Sequence, residues 1–107
     1  MKYQIELTRQ AIADLTDLYR YIAFDLFSPQ VAEEQISRIE RAIASLEQMP
    51  ERFRAYGNEK WKKRNLRIMP VNRYLVFYIP SETKRTVTVI RVLYGGRDIE
   101  PQIEGLL

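Results

Sequence analysis

The hydrophobic pattern of this chain changes period near Lys62, from the spacing of helices to that of strands, and the switch limits the folds open to it. Before it, apolar residues recur three and four apart. Ile12, Leu15, Tyr19, Ile22 and Leu26 form one stripe, and Ala32, Ile36, Ile39, Ile43 and Leu46 form a second. Thr8 is placed to cap the first helix. Ser28 is placed to cap the second, Pro29 suits its first position, and Pro50 stops it. A link of about two residues makes the two helices an antiparallel hairpin. Asp14 with Asp17, and Glu33 with Glu34, fall on the outer faces, where solvation accounts for them.

After the switch, Leu66, Ile68 and Met69 lie on one strand, turned at Pro70-Val71-Asn72. The run from Tyr74 to Ile79 is almost wholly apolar, which suits a central strand covered on both faces. Thr86 to Tyr94 is the last strand, and Gly95-Gly96 ends it. A short alternating strand, with Tyr3, Ile5 and Leu7 on one face, precedes the helices. The expected fold is therefore α+β, in the order β-α-α-β-β-β. It is a single domain over residues 1–107, a small antiparallel sheet with a helical hairpin packed on one face. Residues 51–61 read as a charged loop, and the tail from Ile99 is expected to lie loosely on the sheet or to order when a partner binds.

The residue types missing from the chain narrow its chemistry. Without cysteine there is no disulfide framework and no thiolate metal site. Without histidine the usual general base and commonest metal ligand are gone. Neither a metal nor a cofactor is expected. No apolar run approaches the roughly 18 residues of a membrane span, and the start of the chain lacks the apolar region of a signal peptide. The expected compartment is the cytoplasm, with no membrane partner.

Charge is unevenly spread. Residues 1–49 carry five Lys/Arg against eight Asp/Glu, whereas residues 50–97 carry twelve against three, a local net of +9. A solvated basic face would explain this, as would an anionic partner, either nucleic acid or an acidic protein segment. The candidate contacts are Lys60, Lys62, Lys63, Arg64 and Arg91. The candidate catalytic residues are Arg67, Arg73, Tyr94 and Arg97, because arginine forks match phosphate oxygens and stabilise a developing negative charge. Packing accounts equally well for Tyr94, and better for Tyr74, Phe77 and Tyr78. Trp61 is placed either to stack on a base or to anchor its loop.

The strand Arg73-Tyr74-Leu75-Val76-Phe77-Tyr78, followed after a polar turn by Val89 through Ile99 with Arg91-Val92-Leu93-Tyr94-Gly95-Gly96-Arg97-Asp98 at its centre, closely resembles the C-terminal half of the RelE/ParE superfamily. These are toxins of bacterial type II toxin–antitoxin modules, which include plasmid stabilisation (addiction) modules. In the first half Ala11, Asp14-Leu15, Leu18, Tyr21-Ile22, Ile39, Ile43, Leu46 and Pro50 fit the same family. The resemblance implies a growth-inhibiting toxin neutralised by a cognate antitoxin that is acidic and partly disordered alone. It also implies one of two targets. RelE-like members cut messenger RNA on the ribosome, which here would make the chain a metal-independent, ribosome-dependent endoribonuclease using Arg67, Arg73 and Arg97 with Tyr94 or Tyr74. ParE-like members inhibit DNA gyrase by binding. An inactive relative kept for complex formation is a third reading. The chain departs from the nuclease pattern where Tyr74 takes the place of an arginine, with Arg73 one residue earlier, and where Tyr94 takes the place of a frequent histidine. On a strand, a shift of one residue points a side chain to the opposite face.

Overall fold

The computed structural model describes residues 2–96 and 99–104, the side chains of Glu100 and Glu104 excepted. Strand β1 (Gln4–Leu7) leads into helix α1 (Arg9–Arg20), which runs on as a π-helical turn over Tyr21–Asp25. Helix α2 (Pro29–Ala44), a short helix α3 (Glu59–Lys63), strands β2 (Arg67–Val71), β3 (Tyr74–Ser81) and β4 (Thr86–Tyr94), and helix α4 (Glu100–Glu104) follow. The sheet order is β1-β4-β3-β2. The last three strands pair antiparallel through their hairpins, as local connectivity demands. The first strand pairs parallel with β4, from Gln4 opposite Thr86 to Leu7 opposite Val89, so the sheet is mixed. This parallel contact is not legible in the sequence, because it joins residues far apart in the chain.

Both faces of the sheet are covered. On one, Ile39, Ile43 and Leu46 from the α2 region and Ala11 from α1 pack on Met69, Val76, Tyr78, Val87, Val89 and Val92. On the other, Trp61, Leu66 and Ile103 pack on Ile68, Phe77 and Leu93. The alternation of β3 explains this, since Val76 and Tyr78 point to the hairpin while Phe77 points away. Several sequence expectations need correction. The tail is not loose over its described part: α4 buries Ile103 at 1% exposure in the second cluster. The loop at 51–61 contains the start of α3, capped by Asn58, whose Oδ1 accepts from the Trp61 N–H at 3.3 Å. Gly57 precedes it at φ +97°, and a Cβ there would meet the Trp61 Cβ at 2.9 Å. β2 runs through Pro70, and the turn falls on Asn72 and Arg73, with Asn72 at φ 56°.

The α1 stripe is also rotated from the expected one. Ile12 and Leu26 are half exposed, and the buried side is Ala11, Leu15, Leu18 and Ile22. Thr8 caps α1 as expected, its Oγ1 accepting from the Ala11 N–H at 3.1 Å. Ser28 does not cap α2 with its side chain; its Oγ donates to Leu26 O instead, and its carbonyl accepts from the Ala32 N–H.

Rotation of α1 brings Asp14 inward, against the expectation of a solvated face. β1 ends at Leu7, so the edge of β4 beyond Val89 has no strand beside it. Residues of α1 take that edge over. The Thr8 N–H donates to Val89 O at 3.0 Å, and Thr8 Oγ1 donates to Ile90 O at 3.0 Å. Asp14 Oδ2 accepts from the Val92 N–H at 2.9 Å and from Arg91 Nε at 2.8 Å, while Oδ1 accepts from Arg91 Nη2 at 2.9 Å. Both side chains are nearly buried, 8% exposed for Asp14 and 13% for Arg91. A β-bulge makes this possible. Phe77 faces Arg91 and Tyr78 faces Val89, which leaves Ile90 without a partner and swings Arg91 toward α1.

Breaking a buried pair from one side leaves the other charge uncompensated, at a cost of about 3–5 kcal/mol. Asp14→Ala should therefore lower unfolding stability by roughly 3 kcal/mol in a denaturant titration, whereas the exposed Asp17→Ala should change it by less than about 0.5 kcal/mol. Tyr78 offers a second check. Its hydroxyl donates to Pro50 O at 2.6 Å, and burial, opposed by the charges of Arg67 and Arg52, pushes its pKa up from 10.0 to about 12. A phenol whose folded pKa lies above its unfolded value supports the fold below pH 10 and loses that support as the pH climbs toward 12. Stability of the wild type should fall over that window, and Tyr78→Phe should show a shallower decline from a starting point about 1–2 kcal/mol lower.

Candidate functional site

Among the described residues, the candidates do not come together as one site. Arg67 lies at the start of β2, opposite Tyr78, while Val71 at the other end of the strand lies opposite Tyr74. Four residues of strand, roughly 13 Å at about 3.3 Å each, separate Arg67 from the Tyr74 end. The Arg67 guanidinium is also fully engaged. Its Nη1 donates to Phe53 O at 2.6 Å and Glu51 O at 3.1 Å, its Nε donates to Asn65 Oδ1 at 3.1 Å, and Glu51 Oε1 lies 3.6 Å from Nη2. It staples the segment 51–55 to the sheet edge, beside the bridge from Ala55 to Arg67. Arg91 is likewise taken up by Asp14.

Lys60, Lys62, Lys63 and Arg64 sit on and just after α3, exposed, over the sheet face away from the hairpin. Trp61 among them is 2% exposed, so it anchors the segment and is not open to stack on a base. The Arg64 guanidinium lies 5.9 Å from its ring centroid.

A second group lies at the far end of β3. Tyr74 and Tyr94 face each other across β3 and β4, with ring centroids 5.7 Å apart and edge to face. The Tyr74 ring packs on the hairpin-side cluster. Gly96 lets the chain close round this pair, since a Cβ there would come within 2.6 Å of the Tyr94 ring. The Gly95 N–H donates to Arg73 O at 2.8 Å. The Tyr74 pKa is raised by burial, then by the charges of Tyr94 and Tyr21, against the pull of Arg73. At neutral pH the phenol therefore keeps its proton. Arg73 is exposed, and among the described residues its guanidinium has no hydrogen bond or ion pair. Arg97 lies outside the described residues. Sequence reasoning missed Gln35, whose amide nitrogen is buried without a partner beside Arg73 and Tyr74. It also missed Asp14, although Asp14 stands in the Ala11, Leu15, Leu18 spacing. No group of His, Cys, Asp or Glu among the described residues could hold a metal ion, and no helix is long and apolar enough to cross a membrane.

The family described as ParE toxin of type II toxin–antitoxin system, parDE, matches residues 5–99, and the chain belongs to it. It is thus the toxin of a type II toxin–antitoxin system, within the RelE/ParE superfamily. Among solved structures, a chain of the chromosomal ParDE system from P. aeruginosa superposes with a TM-score of 0.70 at 17% identity, covering 87% of this chain and 96% of that one. A chain of the RelBE2 toxin–antitoxin complex from Mycobacterium tuberculosis gives 0.62 at 20% identity, covering 88% and 99%. The isolated RelE toxin of E. coli gives 0.59 at 15% identity, covering 98% and 99%. At such identities these likenesses speak to the fold. No curated protein matches the chain by sequence.

The division between engaged and free arginines can be checked by stability alone. Arg67→Ala should lower stability by about 1.5–3 kcal/mol, because it removes several charge-assisted hydrogen bonds. Arg73→Ala should stay within about 0.5 kcal/mol of wild type in the same titration.

Proposed function

We propose that this toxin acts by binding, as a ParE-like inhibitor of DNA gyrase, and not by cutting RNA. The observation that carries this reading is the dispersal of the residues a nuclease would need. Arg67 and Arg91 are consumed by structural contacts, and Tyr74, with its raised pKa, is a poor base. The chain has no histidine or cysteine to titrate near neutrality. A phosphodiester cleavage would then need a proton acceptor that the described residues of the Tyr74–Tyr94 end do not offer. Free cations remain on α3 and at Arg73, and they suit contacts to an anionic surface. The proposed partner is a cognate antitoxin, acidic and partly disordered alone, whose charge complements residues 50–97. The proposed compartment is the cytoplasm, and the proposed outcome is growth inhibition relieved by the antitoxin, in the manner of an addiction module.

Purified protein should block supercoiling by gyrase with no ribosomes present, and no effect at saturating protein would overturn the reading. Arg97→Ala should relieve growth arrest while circular dichroism and the unfolding midpoint stay unchanged. A toxic, folded Arg97→Ala protein would remove Arg97 from the target surface.

A further inference from the structure

The turn between α1 and α2 holds apolar side chains where neither the backbone nor solvent favours them. Tyr21, Phe24, Leu26, Phe27 and Val31 lie within eleven residues of chain, and each is at least half exposed, with Phe27 at 86%. The π-helical turn helps to put them there. In a regular α-helix Leu26, four residues after the buried Ile22, would continue the apolar stripe of α1. The wider turn closes through the Leu26 N–H, which donates to Tyr21 O at 3.0 Å, and Leu26 is left half exposed. Phe27 then stands at φ 53°, in the left-handed region. A bulky residue is an outlier there, whereas glycine and asparagine fit. Strain of this kind gathers at functional sites.

At these exposures the five residues present roughly 550 Å² to solvent, taking about 150–250 Å² for a whole aromatic side chain. That is near the top of the range for the largest apolar patch on a monomer, about 300–600 Å². Set against an equal patch, with polar neighbours added, it makes a contact of about 1,200 Å² in total, the lower bound for a specific, stable interface.

Charge decides what the occupant is. From Tyr19 to Val31 the chain holds one cation, Arg20, and one anion, Asp25, both exposed, so the turn itself is neutral. Arg73 of the β2–β3 turn, beside Ile22, adds a cation at the edge, and Glu34, one helical turn after Val31, adds an anion. An acidic protein segment and a nucleic acid alike gain little from a neutral apolar surface, and the α3 cations on the other side of the sheet suit both better. A second copy is not repelled. About a two-fold axis the apolar patch meets itself, and every contact between unlike charges on the mixed rim is made twice. The α3 cations lie over the sheet face away from the hairpin, so pairing at the turn keeps those of the two copies apart.

We infer that the α1–α2 turn is a self-association surface, through which two copies of this chain pair about a two-fold axis with Phe24 and Phe27 of each packed against the other. The pairing does not depend on which target the toxin takes, and it leaves the α3 cations of both copies exposed.

Sedimentation of the full chain over about 1–100 µM, a range that brackets micromolar affinity, should show monomer passing to dimer. Phe24→Ser should raise the dissociation constant at least tenfold. Phe27→Asn should do the same, yet unfold no earlier than the wild type at a concentration where both are monomeric, since asparagine accepts φ 53°. Ile12→Ser removes a comparably exposed apolar residue from the start of α1 and should stay within twofold. Amide exchange in the wild type should slow at residues 21–27 as the concentration rises through the transition, a readout that needs no variant. A wild type that stays monomeric at about 100 µM overturns the proposal, and so does a dimer that both Phe24→Ser and Phe27→Asn leave within twofold. If the wild type stays monomeric and these two variants bind the purified protein of the adjacent reading frame at least tenfold more weakly, the turn belongs to that partner and the proposal is again overturned. None of these results touches the toxin–antitoxin reading.

Discussion

The Asp14 carboxylate holds the two halves of this molecule together. β1 is four residues long and covers only the first part of β4. Beyond Val89 the open edge of β4 would expose backbone donors and acceptors, a liability for any sheet. Thr8 and Asp14 of α1 close it, and the bidentate bond to Arg91 fixes the helix along the strand. The hairpin is thereby joined to the sheet by directional bonds as well as by the apolar cluster of Ile39, Ile43, Val89 and Val92. In a domain whose whole stability is about 5–15 kcal/mol, one such clamp is a large share.

The clamp also decides what the surface can do. It withdraws Arg91 from the exposed cations, just as the carbonyls of Glu51 and Phe53 withdraw Arg67. Besides Arg54 and the turn residues Lys84 and Arg85, two exposed groups stand apart from each other. The lysines of α3 lie over one face of the sheet, held there by buried Trp61, and Arg73 lies with the tyrosines at the hairpin end. A local charge of +9 in sequence is thus spread over several separate features of the surface.

The order of elements was legible because period and connectivity are local. The apolar run of β3 announced a strand buried on both faces, and the glycine pair marked the end of β4. Asp14 was not legible, because the true α1 stripe is built on Ala11, a small residue that hydrophobicity alone ranks below its neighbour Ile12. At 0% exposure Ala11 lets the helix approach the sheet, and that approach turns Asp14 inward and leaves Ile12 half exposed. Helix α3 was hidden because a five-residue helix with one buried tryptophan has no periodicity to read. The bulge at Ile90 and the parallel contact of β1 depend on partners distant in sequence. The same holds for Gln35, whose unsatisfied amide exists only once the β2–β3 turn is laid against α2.

We propose that a chain with Arg67 and Arg91 spent on structure and the Tyr74 phenol kept protonated acts by holding a partner. The most direct test of that claim is the integrity of a defined message in a translating extract given saturating toxin. The account expects full-length transcript, unchanged from the untreated extract. Discrete cuts at ribosome-bound codons, lost in a folded Arg73→Ala protein, would contradict it.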